Sequence, residues 1–305
     1  MLIAIAHKFN ITDQPDRNLK THKKATPYLG GLGVYIPFIT TLALIYPLDN
    51  HILWLILGCT QLLFLGLLDD LIDLRPGQKF IGHMLAAICF LNGGIWLRQT
   101  FFASYITLPL SFLWMLTMIN AFNLVDVMDG LSSTIALCSA LGFAGVAALA
   151  GQYNISLLMT VFIGAVAAFF WFNRKPARIY LGDCGSLFLG GFFAAAPLLI
   201  PWSRIHPYGF LVPPALLAVP LAEVVTLVVV RAYHRIPFYR GSPHHFAHYL
   251  QKKRWRNAAI LLFVIAVNVV TITLSGLFLH HYIPMLYWPA LGIIGFATWL
   301  YIIMG

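Results

Sequence analysis

Three carboxylates stand within five residues in Gly66-Leu67-Leu68-Asp69-Asp70-Leu71-Ile72-Asp73, at the end of the apolar run 51–68. Adjacent acids beside hydrocarbon repel each other and lose hydration, so something must offset that cost. A divalent cation does so economically, because magnesium takes one or two carboxylates together with phosphate oxygens and water. A helical continuation through Asp73 places this third acid on the same side as Asp69 and Asp70. The blander arrangement is a helix end whose acids pair with Arg75 and Lys79. Three acids this close to an apolar span favour a site.

Three further stretches carry groups suited to chemistry. In Asn120-Ala121-Phe122-Asn123-Leu124-Val125-Asp126-Val127-Met128-Asp129-Gly130, two amides and two acids recur every three residues, near enough to helical spacing to share one flank. Gly130 permits a break after Asp129; amides and acids that merely satisfy one another at a helix end are the alternative. In the stretch from Asn173 through Tyr180 to Gly182-Asp183-Cys184-Gly185-Ser186, glycines on both sides of Asp183 allow close backbone approach, and Ser186 is placed to cap a helix. In Tyr239-Arg240-Gly241-Ser242-Pro243-His244-His245-Phe246-Ala247-His248, arginine and histidine suit an anionic substrate, because they bind phosphate or sugar oxygens. Glu223 lies inside an apolar run; a hydrogen-bonded structural role is at least as good a reading there as a functional one, and it is not assigned to catalysis.

The elements that must position these groups are membrane helices. The chain of 305 residues is 60% hydrophobic and 10% charged, with a mean hydropathy of +0.82, whereas soluble domains carry about 25% charged residues. The expected fold is all-α, a polytopic membrane helix bundle and a single domain over 1–305. Ten candidate spans read as 33–48, 51–68, 81–97, 106–125, 133–150, 155–172, 185–201, 209–230, 258–280 and 284–304, each near the roughly 20 residues a bilayer needs. If 1–30 is cytoplasmic and the spans alternate, 17 of the 19 Lys and Arg fall on the cytoplasmic side, with Arg98 and Arg204 outside. Asp69, Asp70, Asp73, Asp126, Asp129 and Asp183 share that side, as do His244, His245 and His248. The net charge of +9 is thus a topology signal, with no basic stripe suited to nucleic acid. Cys59, Cys89, Cys138 and Cys184 show no CxxC spacing and read as core residues. The loop 231–257 is expected to hold a short helix over 246–253. No internal repeat is detectable.

Taken together, these stretches resemble the polyprenyl-phosphate N-acetylhexosamine-1-phosphate transferases of glycosyltransferase family 4. That family starts O-antigen, enterobacterial common antigen and teichoic-acid lipid carriers, and includes the phospho-muramoyl-pentapeptide transferase of peptidoglycan synthesis. Its basic segment leading into Pro-x-x-Gly-Gly matches His22-Lys23-Lys24-Ala25-Thr26-Pro27-Tyr28-Leu29-Gly30-Gly31, its acidic pair matches Asp69-Asp70, and its Asn-x-x-Asn-x-x-Asp-x-x-Asp-Gly motif matches 120–130. Gly182-Asp183-Cys184-Gly185-Ser186 and Pro243-His244-His245-Phe246 match the remaining two motifs. Val127 departs from a usual glycine, the histidine motif is a variant, and the span that normally precedes the basic segment is reduced here to 1–9.

The resemblance implies magnesium, or manganese in its place, held by Asp183 with Asp69 and Asp70. It implies catalytic roles for Asp69, Asp70, Asp126 and Asp129. Substrate contacts fall to Lys23, Asn120, Asn123, Asn173, Tyr180, Arg240, His244 and His245, with Asn173 and Tyr180 lining a uracil pocket. The implied partners are a UDP-N-acetylhexosamine, undecaprenyl phosphate and membrane lipids, with no nucleic acid; a homodimer is open. The implied location is the bacterial cytoplasmic membrane, with the site facing the cytoplasm. Two rivals remain: an intramembrane prenyltransferase, since Asp69-Asp70-Leu71-Ile72-Asp73 reads DDxxD, and a secondary transporter.

Overall fold

The computed structural model describes residues 2–8, 12–13, 26–98, 102–237 and 243–304. The helices run α1 (Leu2–Lys8), α2 (Gly30–Ile45), α3 (Asn50–Ile72), α4 (Pro76–Asn92), α5 (Ser104–Val125), α6 (Leu131–Leu149), α7 (Tyr153–Asn173), α8 (Gly182–Ala195), α9 (Trp202–Ile205), α10 (Val212–Leu216), α11 (Ala218–Tyr233), α12 (Phe246–Lys252), α13 (Asn257–Leu279) and α14 (Trp288–Met304). Strand structure among the described residues is one short antiparallel pair, β1 (Thr12–Asp13) against β2 (Thr26–Pro27). The protein is an all-α polytopic membrane protein.

Each of the ten expected spans meets a helix or a helical pair, but not every one is a full crossing. Among the described residues, seven helical stretches are long and apolar enough to cross a membrane, or eight if one bent pair counts as a span. The expected spans 33–48 and 81–97 correspond to α2 and α4, which at 16 and 17 residues fall short of that length. The expected span 209–230 is broken: Gly209–Leu216 and Ala218–Tyr233 meet at 72°. Pro213 and Pro214 open the first piece and Pro220 the second, and proline lacks the amide that a continuous helix would use there. The short helix expected over 246–253 is α12, one residue shorter.

Helix α8 lies at the centre, packed against α2, α3 and α5. Its buried run Cys184–Ala195 supplies the middle of a phenylalanine core. Phe192 stacks on Phe162 with ring centroids 3.8 Å apart, and Phe193 on Phe122 at 4.9 Å. Apolar side chains gain little by leaving lipid, so this interlocking shape is what fixes the helices against one another.

Three local features aim the polar ends. Helix α3 closes at Asp73, which adopts a left-handed conformation (φ 49°). Gly130 (φ 78°) turns the chain between α5 and α6. The segment 27–31 lies along 180–181 like an extra strand: Tyr180 N donates to Pro27 O (2.7 Å), Gly30 N to Tyr180 O (3.0 Å) and Gly31 N to Leu181 O (3.0 Å). The Pro-x-x-Gly-Gly stretch thereby holds the approach to Asp183.

Candidate active site

The C-terminal end of α3, the start of α4, the end of α5 and the start of α8 meet at one point. A Cβ at Gly66 would overlap the carbonyl of Asp183, so the glycine is what lets α8 begin directly against α3. Asp70 then receives the first amides of α8 on both oxygens, from Asp183 N (2.9 Å) and Cys184 N (3.0 Å). An acid at a helix N-terminus is favoured by the backbone dipoles. Asp183 faces the other way. Its Oδ1 accepts from Asn123 Nδ2 (2.8 Å), which also reaches Ser186 Oγ (3.0 Å), and its Oδ2 pairs with Lys79 Nζ (3.0 Å).

Lys79 is the hub of this cluster, because it also forms an ion pair with Asp69. Asp69 is only 3% exposed, and its Oδ1 takes the amide of Leu74 (2.8 Å), closing the end of α3. Two carboxylates from residues far apart in sequence therefore converge on one cation. Their oxygens are the hard donors that magnesium prefers, so Asp69 and Asp183 fit a metal. Asp70, expected to share this role, accepts a backbone amide of α8 on each of its oxygens. It sets the position of Asp183.

Asp73 is a correction to the sequence reading. The helix ends at Ile72, and the left-handed turn leaves Asp73 exposed rather than beside Asp69 and Asp70. A turn into the proline that opens α4 replaces the helical continuation. The third acid of a DDxxD motif is therefore missing from the cluster, which removes the main feature of the prenyltransferase rival. The transporter rival expects broken helices in both halves; the described residues contain one such break.

The second acidic stretch rims the cluster. Asp126 follows α5 and accepts from Ser132 Oγ (3.0 Å). Burial pushes its carboxyl up to about 7; the charges of Asp183 and Asp129 add to the rise, while the Ser132 bond opposes it. Asp129 Oδ2 accepts the amide of Ala177 (3.2 Å), tying this rim to the loop before α8. Asn120 donates to Leu116 O (2.8 Å) and lies 3.4 Å from His83 Nδ1. Asn173 is buried, its Oδ1 accepting from Gly130 N (2.9 Å) and Ser133 Oγ (3.3 Å) and its Nδ2 donating to Ile179 O (3.0 Å). That amide ties the turn at Gly130 to the loop before α8, its oxygen accepting two bonds. Tyr180 is half-buried on the same loop.

The histidines divide their work. His244 stacks on His234 with centroids 5.2 Å apart, His245 Nδ1 lies 2.8 Å from Glu223 Oε1, and His248 lies close to the backbone of Pro243 and Val127. That approach brings this segment up to the 126–129 rim. Lys23 and Arg240 lie outside the described residues. Sequence reasoning undervalued Lys79, seen as a bland partner, and passed over His83, one turn along α4 from it; the i, i+4 spacing was the available signal. The most evident recesses lie elsewhere, one of about 370 Å³ between α2 and α7 and one of about 380 Å³ around Arg204 and His280. Neither includes a carboxylate.

Residues 52–200, which carry Asp69, Asp70, Asn123, Asp126, Asp129 and Asp183, match the family model described as glycosyl transferase family 4. Over that stretch, just under half of its length, the chain is similar to glycosyl transferase family 4. A Bacillus subtilis (strain 168) relative named probable undecaprenyl-phosphate N-acetylglucosaminyl 1-phosphate transferase is 29% identical over 255 residues, covering 81% of this chain and 71% of the relative. Two relatives named phospho-N-acetylmuramoyl-pentapeptide-transferase are also similar. That of Streptococcus equi subsp. equi is 32% identical over 61% of this chain and 64% of its own length. That of Wolbachia pipientis wMel is 28% identical over 85% of this chain and 87% of its own.

Proposed function

We propose that this protein transfers an N-acetylhexosamine 1-phosphate, by default N-acetylglucosamine 1-phosphate, from its UDP-sugar to undecaprenyl phosphate. The reaction would occur at the cytoplasmic face of the bacterial inner membrane and release UMP, starting a cell-envelope glycan. The observation that carries this reading is the convergence of Asp69 and Asp183 on one cation, with Asp70 and Asn123 holding Asp183 in place. The concentration of Lys and Arg on the same end of the helices supports the cytoplasmic assignment. The name of the Bacillus subtilis relative supports N-acetylglucosamine, and the streptococcal and Wolbachia names support the muramoyl-pentapeptide donor as the competitor to test beside it.

In this reading a lipid-phosphate oxygen bonds to the β-phosphorus of the UDP-sugar. The bond from that phosphorus to the α–β bridging oxygen breaks, and UMP leaves with the oxygen and its electron pair. The nucleophile is already anionic, so the protein's task is to position it and balance charge. Asp69 takes the remaining proton of the lipid phosphate, and Lys79 offers its ammonium to diphosphate oxygens. Asp126 and Asp129 orient the nucleotide, while Arg240, His244 and His245 hold the diphosphate or the sugar. Asp69 and Asp183 would hold magnesium, which when bound neutralises charge on the diphosphate and the leaving UMP.

The test is direct. Purified protein is incubated with undecaprenyl phosphate, magnesium and labelled UDP-sugars, UDP-N-acetylglucosamine and UDP-N-acetylmuramoyl-pentapeptide among them. The expected result is labelled lipid and UMP in equal amounts, lost on chelation. Absence of UMP with every UDP-hexosamine rejects the proposal.

A further inference from the structure

Glu223 is a buried acid that the mechanism above leaves unused. It sits on α11 with no exposure at all, yet both of its oxygens are engaged by the histidine segment. Oε1 lies 2.8 Å from His245 Nδ1, and Oε2 accepts the amide of Phe246 (3.2 Å), the first residue of α12. Arg231, two turns further along α11, lies within electrostatic reach of the same carboxylate.

An acid that only fastened α12 would need the Phe246 bond alone. The second contact acts on the imidazole. A carboxylate oxygen can only accept, so His245 Nδ1 carries the hydrogen and Nε2 becomes the nitrogen left for another partner. Among the described residues, no protein group bonds that Nε2. The ring also lies towards the acidic rim: its centroid is 5.6 Å from that of His248, which lies close to the backbone of Val127 between Asp126 and Asp129. With a hydrogen on each nitrogen, the ring can donate from Nδ1 to Glu223 and from Nε2 to a phosphate oxygen.

We propose that Glu223 is a positioning residue that holds His245 by Nδ1, so that Nε2 meets an oxygen of the substrate diphosphate. This rests on the transferase reading above. His245 touches the substrate; Glu223 acts through it. Carboxylates placed behind ligating histidines work in the same way, by fixing tautomer and ring angle, and their loss costs on the order of 10–100-fold in function.

The experiment uses the full chain in detergent with UDP-N-acetylglucosamine, undecaprenyl phosphate and magnesium, comparing wild type, Glu223→Gln, Glu223→Asp, His245→Ala and the Glu223→Gln/His245→Ala double variant. Glu223→Gln keeps the shape but cannot accept both bonds. It is expected to lower kcat on the order of 10–100-fold with KM for the UDP-sugar within about threefold, the split that marks a contact made in the transition state. The double variant should be no worse than His245→Ala, because Glu223 has nothing left to position. Glu223→Asp should recover part of the loss, and it carries the test if Glu223→Gln melts below the assay temperature. A Glu223→Gln enzyme with wild-type kcat overturns the proposal, as do single losses that multiply in the double variant, or an Asp variant as poor as His245→Ala. Wild-type turnover accompanied by any of these sinks this inference alone. A wild type that releases no UMP sinks the transferase reading and takes the inference with it.

Discussion

The two ends of the helix bundle treat their polar groups differently. At the end carrying Arg98 and Arg204, these side chains bond backbone: His51 Nδ1 lies 2.6 Å from Gly93 O, Arg98 Nη2 donates to Gly94 O (3.0 Å), and Trp202 Nε1 donates to Pro197 O (2.8 Å). These contacts close turns and satisfy carbonyls that lipid cannot. At the acidic end, beside bonds to backbone, side chains also meet side chains more than 60 or 100 positions away, as for Asn123 with Ser186 and Lys79 with Asp183. Bonds to backbone finish a fold. Charged groups drawn together from separate helices, at the cost of desolvation, require a reason outside folding.

That contrast can be broken by experiment, beginning where the effect should be largest. Asp183→Asn removes the charge that Lys79 and Asn123 share, and UMP formation should fall on the order of 10²–10³-fold; an unchanged kcat would erase the distinction between the ends. Lys79→Ala leaves buried Asp69 without its cation. Since the lysine is partly exposed, a discounted loss of roughly 1–3 kcal/mol in stability is expected, together with at least a tenfold fall in kcat/KM, read by thermal melting and initial rates. Gly66→Ala pushes α8 away from α3, and should lower kcat about tenfold and stability by roughly 1–3 kcal/mol.

A pH series sharpens the comparison further. The Asp126 carboxyl is raised in the folded protein to about 7, so between its unfolded value, about 4, and pH 7 the unfolded chain binds fewer protons. Its contribution to stability is therefore greatest in acid and declines as pH rises towards 7. Asp126→Asn removes this dependence, so its melting temperature should gain on wild type between pH 5 and pH 8. A constant difference would contradict the burial argument. The smallest effect belongs to the other end. His51→Ala should cost about 1 kcal/mol of stability and leave kcat within twofold.

Much of this was legible beforehand, for reasons of scale. Apolar runs near twenty residues and the bias of Lys and Arg are set by the bilayer, so they survive in one dimension. The positions of Asp69, Asp70 and Asp183 could be anticipated as a group through the family motifs. Their different surroundings could not, because these depend on which oxygen meets which amide: Asp70 and Asp183 look alike in sequence, and only the start of α8 separates the acid that holds the backbone from the one that meets Lys79 and Asn123. Asp73 was misplaced because nothing local to the Asp-Asp pair announces that α3 stops one residue earlier. The role of Glu223 is not legible in the sequence, since its partners, His245 and Phe246, lie more than 20 positions on, beyond the end of α11.

The joint at Gly66 has a wider consequence. Helices in bilayers of different hydrocarbon width adjust by tilting. Helix α8 starts against α3 with no side chain between them, and Asp70 grips its first two amides, so the pair must tilt as one body. The gap between Asp69 and Asp183 is thereby insulated from lipid composition, and turnover should vary little between short-chain and long-chain lipid vesicles.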